Sequence, residues 1–311
     1  MSRTPTLQAP LPAEPTVADL IRHGAEAFER AQLAYGHGMG DAIDEAAALV
    51  FHALGLAHGD AGQVYDTRPG AQGVGEVLAL FAERIERRVP AAYLMGRMWF
   101  AGLEFEVDPR VIVPRSPFAE LIEAGFAPWI DPACVRRVLD VGTGSGCIAI
   151  ACARRFGEAR VDAVDLSPEA LAVAARNVAR HRVGGRVRLL QGDALAPVRG
   201  ERYDLIVSNP PYVSHAEMDA LPEEYRHEPD MALRAGADGL DVVRRLLAGA
   251  AALLEPQGAL FVEVGDSEER LQAAYPRVPF LGLEFAHGGG GVFMLTKHEL
   301  ERHRADLCGV D

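Results

Sequence analysis

Two stretches of the 311-residue sequence combine residue types and spacing that can do chemistry. The first is Ser208-Asn-Pro-Pro-Tyr212, which follows the apolar run Asp204-Leu-Ile-Val207. Its two prolines fix the backbone and remove two N–H donors, so the Asn209 side chain and the Pro210 carbonyl can both face a bound group as acceptors. Such a pair suits a planar NH2 group. Each acceptor takes one N–H, which aims the nitrogen lone pair toward an electrophile, while the Tyr212 ring stacks on the flat group. Asn209, Pro210, Pro211 and Tyr212 are therefore the candidate substrate contacts, with Asn209, Pro210 and Tyr212 as the catalytic set. Taken alone, the segment can equally be a rigid proline turn.

The second stretch is Val138-Leu-Asp-Val-Gly-Thr-Gly-Ser-Gly-Cys-Ile-Ala-Ile150. An apolar run ending in an acid, then glycine at every second position, then another apolar run, reads as a buried strand turning tightly into a helix. Gly142, Gly144 and Gly146 let the backbone approach a ligand, and the helix beginning near Gly146 offers free N–H groups. This spacing is not the G-x-G-x-x-G of a dinucleotide site, and it lacks the Lys-Ser/Thr of a phosphate-clamping loop. Asp165 closes the next apolar run about 20 residues on, where an acid can accept both hydroxyls of a ribose. Gln191-Gly-Asp193 closes a third, and its carboxylate suits the amino group of adenine. The set fits a nucleoside without a pyrophosphate. Asp140, Gly142, Thr143, Gly144, Gly146, Asp165 and Asp193, with Asn209 at the border, are the candidate cofactor residues. For Asp140 a second role is open, that of bracing the glycine turn.

These residues need a scaffold. From Arg137 onward short apolar runs at Val138–Val141, Arg160–Val164, Val187–Leu190, Leu205–Val207, Ala259–Val264 and Val292–Leu295 alternate with helical stretches. That alternation predicts an α/β fold with a mostly parallel sheet covered by helices. Ser167 is a helix cap followed by Pro168, with Glu169 in the first turn. Between Thr16 and Arg88 apolar residues recur every three or four positions, predicting a small helical domain with a glycine-rich break from Gly55 to Gly75. Met98–Val107 alternates, and a hairpin is expected to close through Asp108-Pro-Arg110 onto Val111–Val113. Ser116 is expected to cap a helix with Pro117 at its first position. Residues 1 to about 15 read as a frayed arm.

Composition narrows the class. Hydrophobic residues at 49% and charged residues at 24% are ordinary for a soluble globular chain, and the prolines and polar residues of Met1–Pro15 leave no apolar core for a secretory signal, so a cytoplasmic location is expected. Cys134, Cys147, Cys152 and Cys308 show no Cys-x-x-Cys spacing and the ten histidines no His-Glu-x-x-His, so reduced structural thiols and no metal are expected. A net charge of -13 disfavours naked nucleic acid as the main partner, favours a basic protein, and comes with no membrane segment.

Val138–Ile150, Asp165, Asp193 and Asn209-Pro-Pro-Tyr212 resemble the class I S-adenosyl-L-methionine-dependent methyltransferases that act on amino groups. Val113-Pro-Arg-Ser-Pro-Phe-Ala-Glu-Leu-Ile122, Tyr225-Arg-His-Glu-Pro229, Gly236-Ala-Asp-Gly-Leu-Asp241 and Leu283-Glu-Phe-Ala-His-Gly-Gly-Gly-Gly-Val-Phe293 are similar to the protein-(glutamine-N5) methyltransferases. The resemblance implies a helical N-terminal substrate-recognition domain (16–92), a β-hairpin linker (93–117) and a Rossmann-like methyltransferase domain (118–311). It implies S-adenosyl-L-methionine as methyl donor, S-adenosyl-L-homocysteine as product and a glutamine side chain as acceptor. The release-factor branch reads Pro-Arg-Pro-Glu-Thr-Glu where this chain has Pro114-Arg-Ser-Pro-Phe-Ala-Glu120. With the His-Gly-rich ending, that departure is closer to the branch that modifies ribosomal protein L3 (uL3), a basic substrate. A release factor, an adenine-N6 or guanine-N2 target and a non-catalytic ribosome assembly factor stay open as alternatives. Glu228 is either a base or a structural acid beside Pro229.

Overall fold

A computed structural model describes residues 11–56, 64–286 and 288–308. The chain forms two compact units, residues 1–96 with 222–227, and residues 97–221 with 228–311.

The first unit is helical, with helices Val17–Arg30, Ala42–Ala53, Gly70–Arg87 and Ala91–Met95. Thr16 and Asp19 cap the first helix reciprocally, and Asp41 accepts from the Ile43 and Asp44 N–H groups at the start of the second. Their apolar stripes meet in one cluster that includes Leu20, Phe28, Leu49, Val77 and Phe81. Gly24 is required there, because a Cβ would lie 2.4 Å from the Phe81 ring. Residues 222–227 belong to this unit because Glu224 reaches its buried Arg84 at 3.4 Å and accepts from the Ala34 N–H at 3.0 Å. Two expectations change. The helix Gly70–Arg87 begins inside the glycine-rich break, which is therefore shorter than expected, and residues 57–63 of it lie outside the described residues. The N-terminal arm is docked from residue 11, with Leu11 against the helical cluster and Pro15 buried, while residues 1–10 lie outside the described residues.

The second unit carries a Rossmann-like sheet. Strands β1 (Arg97–Phe100) and β2 (Leu103–Glu106) form a separate hairpin. They are followed by β3 (Arg137–Val141), β4 (Arg160–Asp165), β5 (Val187–Gln191), β6 (Tyr203–Ser208), β7 (Leu254–Glu263), β8 (Leu281–Gly282) and β9 (Val292–Thr296). These seven are ordered β5-β4-β3-β6-β7-β9-β8; β3 to β7 run parallel, and β9 is antiparallel to both β7 and β8. Helices Cys147–Arg155 and Pro168–Arg180 join the first three. The strands are apolar on both faces because both are covered. Val138, Leu205, Val207 and Phe261 enter one core, whereas Leu139, Ile206, Leu260 and Val262 enter the other. The chain moves outward from β3 to β5, then returns to place β6 on the other side of β3. In open α/β sheets a ligand crevice forms at the carboxyl ends beside such a reversal.

The hairpin differs from expectation. It turns at Ala101-Gly102, whose φ values of 47° and 72° suit a type I′ turn, and not at Asp108-Pro-Arg110. The N–H groups a ladder through Val111–Val113 would need are spent elsewhere, Val111 donating to the Asp108 carbonyl at 3.1 Å and Val113 to Glu228 at 2.9 Å. Pro117 likewise precedes the helix Phe118–Ala124 as its cap residue and is not its first residue, although the Ser116 hydroxyl still accepts from the Phe118 N–H at 3.1 Å. The Ser167 cap and the following Pro168 are as expected. Among the described residues no helix is long and apolar enough to cross a membrane.

Candidate active site

The glycine loop leaves the end of β3. Gly142, Gly144 and Gly146 all have positive φ, at 75°, 54° and 82°. At Gly144 a Cβ would meet open space, so the backbone conformation and not crowding calls for glycine. The N–H groups of Gly142 and Thr143 both donate to the Val164 carbonyl, at 2.8 and 3.0 Å, which ties the loop to the end of β4.

Asp140 is fully buried and braces this loop. Its Oδ2 accepts from the Thr143 hydroxyl at 2.6 Å and from the Ala149 N–H at 3.1 Å. Burial pushes its carboxyl up to about 7 against these two hydrogen bonds. Asp165 holds the outer side of the loop. One carboxylate oxygen accepts from the Gly144 N–H at 2.8 Å and the other from the Ser167 N–H at 2.9 Å. Burial raises its carboxyl, and the backbone N–H groups of Ser167, Gly144 and Leu166 pull it back. Each oxygen keeps further lone-pair capacity, as a ribose diol would need.

A cavity of about 410 Å³ opens beside the reversal point. Gly142, Gly144, Asp165, Asp193, Asn209, Pro210 and Pro211 all line it, so three strand ends and the Asn-Pro-Pro segment converge there. Apolar walls come from Ile112, Leu166 and Met231, the last two about half exposed at 52% and 49%. This size and mixture suit one nucleoside-sized ligand. Asp140, Thr143 and Gly146 do not line it: the first two are buried partners of each other, and a Gly146 Cβ would lie 3.2 Å from Ala174. Asp193 is on the wall, but its carboxylate pairs with Arg245, another lining residue that the sequence did not single out.

Asn209 to Tyr212 follow β6, whose last residue donates its hydroxyl, Ser208 Oγ, to the Val141 carbonyl at 2.7 Å. That bond fixes the segment against the glycine loop. Tyr212 turns away from the first cavity and lines a second, more open one of about 830 Å³ with Ser116, Glu263 and Gly265. Its own carbonyl accepts from Ser267 Oγ at 2.8 Å, and its hydroxyl donates to Glu263 Oε1 at 3.3 Å. Gly239 and Gly265 close on it: a Cβ at Gly239 would lie 2.3 Å from the Tyr212 carbonyl oxygen, and one at Gly265 2.6 Å from its ring. A smaller hollow between the cavities is lined by Asn209, Pro210, Pro211, Tyr212, Ile112 and Arg115, among others.

Glu228 is a structural acid. It accepts from the Val113 N–H at 2.9 Å and from both terminal nitrogens of Arg115, at 2.5 and 2.6 Å, three bonds that hold the linker. Sequence reasoning missed Glu263, the acid that ends β7. It is 5% exposed, accepts from Ser116 Oγ at 2.6 Å, and burial pushes it up to about 7. The signal was present, since Ala259–Glu263 is an apolar run ending in an acid, as at Asp140 and Asp165.

The methyltransferase small domain family matches residues 126–226. The chain is 50% identical to a ribosomal protein uL3 glutamine methyltransferase of Xanthomonas campestris pv. campestris over 293 residues, 94% of each protein. Proteins of the same name from Xylella fastidiosa and Bordetella pertussis are 49% and 46% identical, across 95% and 92% of this chain and 94% and 96% of theirs. At that identity and coverage the chain belongs to the ribosomal protein uL3 glutamine methyltransferase family, whose members are methyltransferases of the S-adenosylmethionine-using class.

Proposed function

We propose that this protein transfers a methyl group from S-adenosyl-L-methionine to the side-chain amide nitrogen of a glutamine in ribosomal protein uL3, leaving S-adenosyl-L-homocysteine and releasing one amide proton to solvent. The observation that carries the reading is the position of Asn209-Pro-Pro-Tyr212, which lines a nucleoside-sized cavity on one side and a wider, open cavity on the other. The donor set fits the cofactor. Asp165 offers carboxylate lone pairs to a ribose, Gly142 and Gly144 offer close backbone approach, and Asp193 stands where an adenine amino group can be met, in exchange for part of its pairing with Arg245. When bound, S-adenosyl-L-methionine supplies an electrophilic methyl on a sulfonium.

The protein's task is to make a poor nucleophile reactive. An amide nitrogen has a delocalised lone pair, and Asn209 Oδ1 with the Pro210 carbonyl can each accept one of its hydrogens. As positive charge grows on that nitrogen both hydrogen bonds strengthen, which is stabilisation made chiefly in the transition state. Tyr212 packs on the amide from the side of the open cavity, its ring held by Gly265 and its backbone by Ser267. Residues 16–92 are read as the substrate-recognition domain, 93–117 as the linker and 118–311 as the catalytic domain, acting in the cytoplasm without a metal. The charge of -13 suits a basic ribosomal protein and opposes a bare nucleic acid.

The test offers purified uL3 and, separately, a release factor to the enzyme with methyl-labelled S-adenosyl-L-methionine, and maps the label by mass spectrometry. Label on a uL3 glutamine is expected. Label in the release factor alone would move the substrate to the other branch. Asn209→Ala should lower turnover about 100-fold or more, ~2.7 kcal/mol, while cofactor affinity by calorimetry stays within about twofold. A parallel loss of both would place Asn209 with the cofactor instead.

A further inference from the structure

We propose that Glu263 is a positioning residue for the amide-binding pair, fixing which end of the Asn209 side chain faces the substrate and how the Tyr212 ring is tilted. The inference rests on the reading above that Asn209 receives a glutamine amide. Three independent placements lead to it. In the parallel register of β6 and β7, Ser208 stands opposite Val262, so the next residues, Asn209 and Glu263, come level at the carboxyl edge of the sheet. That register sets the Asn209 side chain beside the Glu263 carboxylate, and the Tyr212 hydroxyl donates to its Oε1 at 3.3 Å. The other oxygen, Oε2, is occupied by Ser116 Oγ at 2.6 Å, from the loop that precedes the helix Phe118–Ala124.

Burial pushes Glu263 up to about 7, so above that pH it is an ionised carboxylate, which can only accept hydrogen bonds. The end of Asn209 that faces Glu263 is therefore its NH2, and Oδ1 is left as the acceptor for the substrate amide. Without that partner the two ends of an asparagine amide are nearly the same shape, and half of its orientations would present NH2 to NH2. A carboxylate only 5% exposed is costly to keep in an apolar sheet end, so packing alone does not account for it. Gly265, two residues on, leaves room for the Tyr212 ring, since a Cβ there would lie 2.6 Å from it, and the ring's hydroxyl reaches Glu263.

A double-mutant cycle at pH 8, where Glu263 is ionised, tests this on the full chain with uL3 as substrate. Glu263→Gln preserves shape but supplies a donor where only acceptors stood. It should lower kcat about tenfold or more, leave the affinity for S-adenosyl-L-homocysteine within about twofold, and cost less than about twofold when added to Asn209→Ala, because the residue through which it acts is already gone. Glu263→Asp, which keeps the charge on a shorter arm, should recover part of the loss. Fold losses that simply multiply between Glu263→Gln and Asn209→Ala would overturn the proposal, as would full activity in Glu263→Gln. If Glu263→Gln loses its cooperative melt, the same cycle with Ser116→Ala decides by the same criteria, since that change frees Glu263 without altering its charge. The two readings fail separately. If the unmodified enzyme labels no glutamine, the proposed function is lost; if it labels glutamine and the cycle is additive, only the role of Glu263 is.

Discussion

Acids at strand ends divide by what holds them. Asp165 is held by two backbone N–H groups and lines the cavity, Asp193 is paired with an arginine and exposed, and Asp140 and Glu263 are buried. The first division was legible in the sequence, because an acid about 20 residues beyond a glycine turn has a geometric reason to face a ribose. The bracing role open to Asp140 is the one the structure shows, whereas the role of Glu263 at the next strand end was not legible, because it too looks like an apolar run closed by a carboxylate. Burial of these two has a consequence for stability. Both carboxyls stand near 7 when folded, against ordinary values of 3.8 and 4.5. Between those limits the folded protein holds protons that the unfolded chain has lost, so stability falls as pH rises from about 4 to 7 and levels off above. The acids shifted down, such as Asp108 and Glu217 at about 2, lose their contribution only below that window. Thermal melts should therefore give a Tm lower at pH 8 than at pH 5.5 by roughly 5 °C or more. Asp140→Asn, which cannot ionise, should flatten the slope, and a Tm that does not change between the two pH values would show that these carboxyls ionise freely in the fold.

Among the elements, six strands were readable from apolar runs because β3 to β7 and β9 are covered on both faces. β8 was not, being two exposed residues without a pattern. The hairpin turn was misplaced because Asp108-Pro-Arg110 is a strong turn signal by type, whereas Ala101-Gly102 is the pair whose backbone matches a two-residue connection. What the strand pattern could not reveal is how loops from β6, from the turn before helix Asp241–Gly249 and from β7 converge on Tyr212. Gly239 is the sharpest case. With φ at 82° and the Tyr212 carbonyl where its Cβ would go, any side chain must push the tyrosine backbone outward. Gly239→Ala should reduce kcat about tenfold or more, ~1.4 kcal/mol, with cofactor affinity nearly unchanged, since Gly239 is not on the cofactor cavity wall. Calorimetric titration beside steady-state rates would decide it, and a selective loss of cofactor binding would mean that the loop serves the other cavity.

At the scale of the whole chain, the helical and sheet units were foreseeable from the change of apolar period, but the inclusion of residues 222–227 in the helical unit was not. It depends on Glu224 meeting Arg84, a contact across 140 positions that no local pattern announces. Net charge, by contrast, is a property of sequence alone and acts over the full surface. At -13, the protein attracts a basic partner before any specific contact forms, and that attraction is screened over about 8–10 Å at physiological ionic strength. The cofactor cavity draws on short hydrogen bonds to Asp165 and the glycine loop, which screening reaches far less. Raising NaCl from about 50 to about 300 mM should therefore raise the KM for uL3 roughly tenfold through slower association, while the affinity for S-adenosyl-L-homocysteine changes by less than about twofold. Initial rates across a salt series, with calorimetry on the same samples, separate the two. A KM for uL3 that ignores salt would mean that recognition is carried by apolar contact in place of charge.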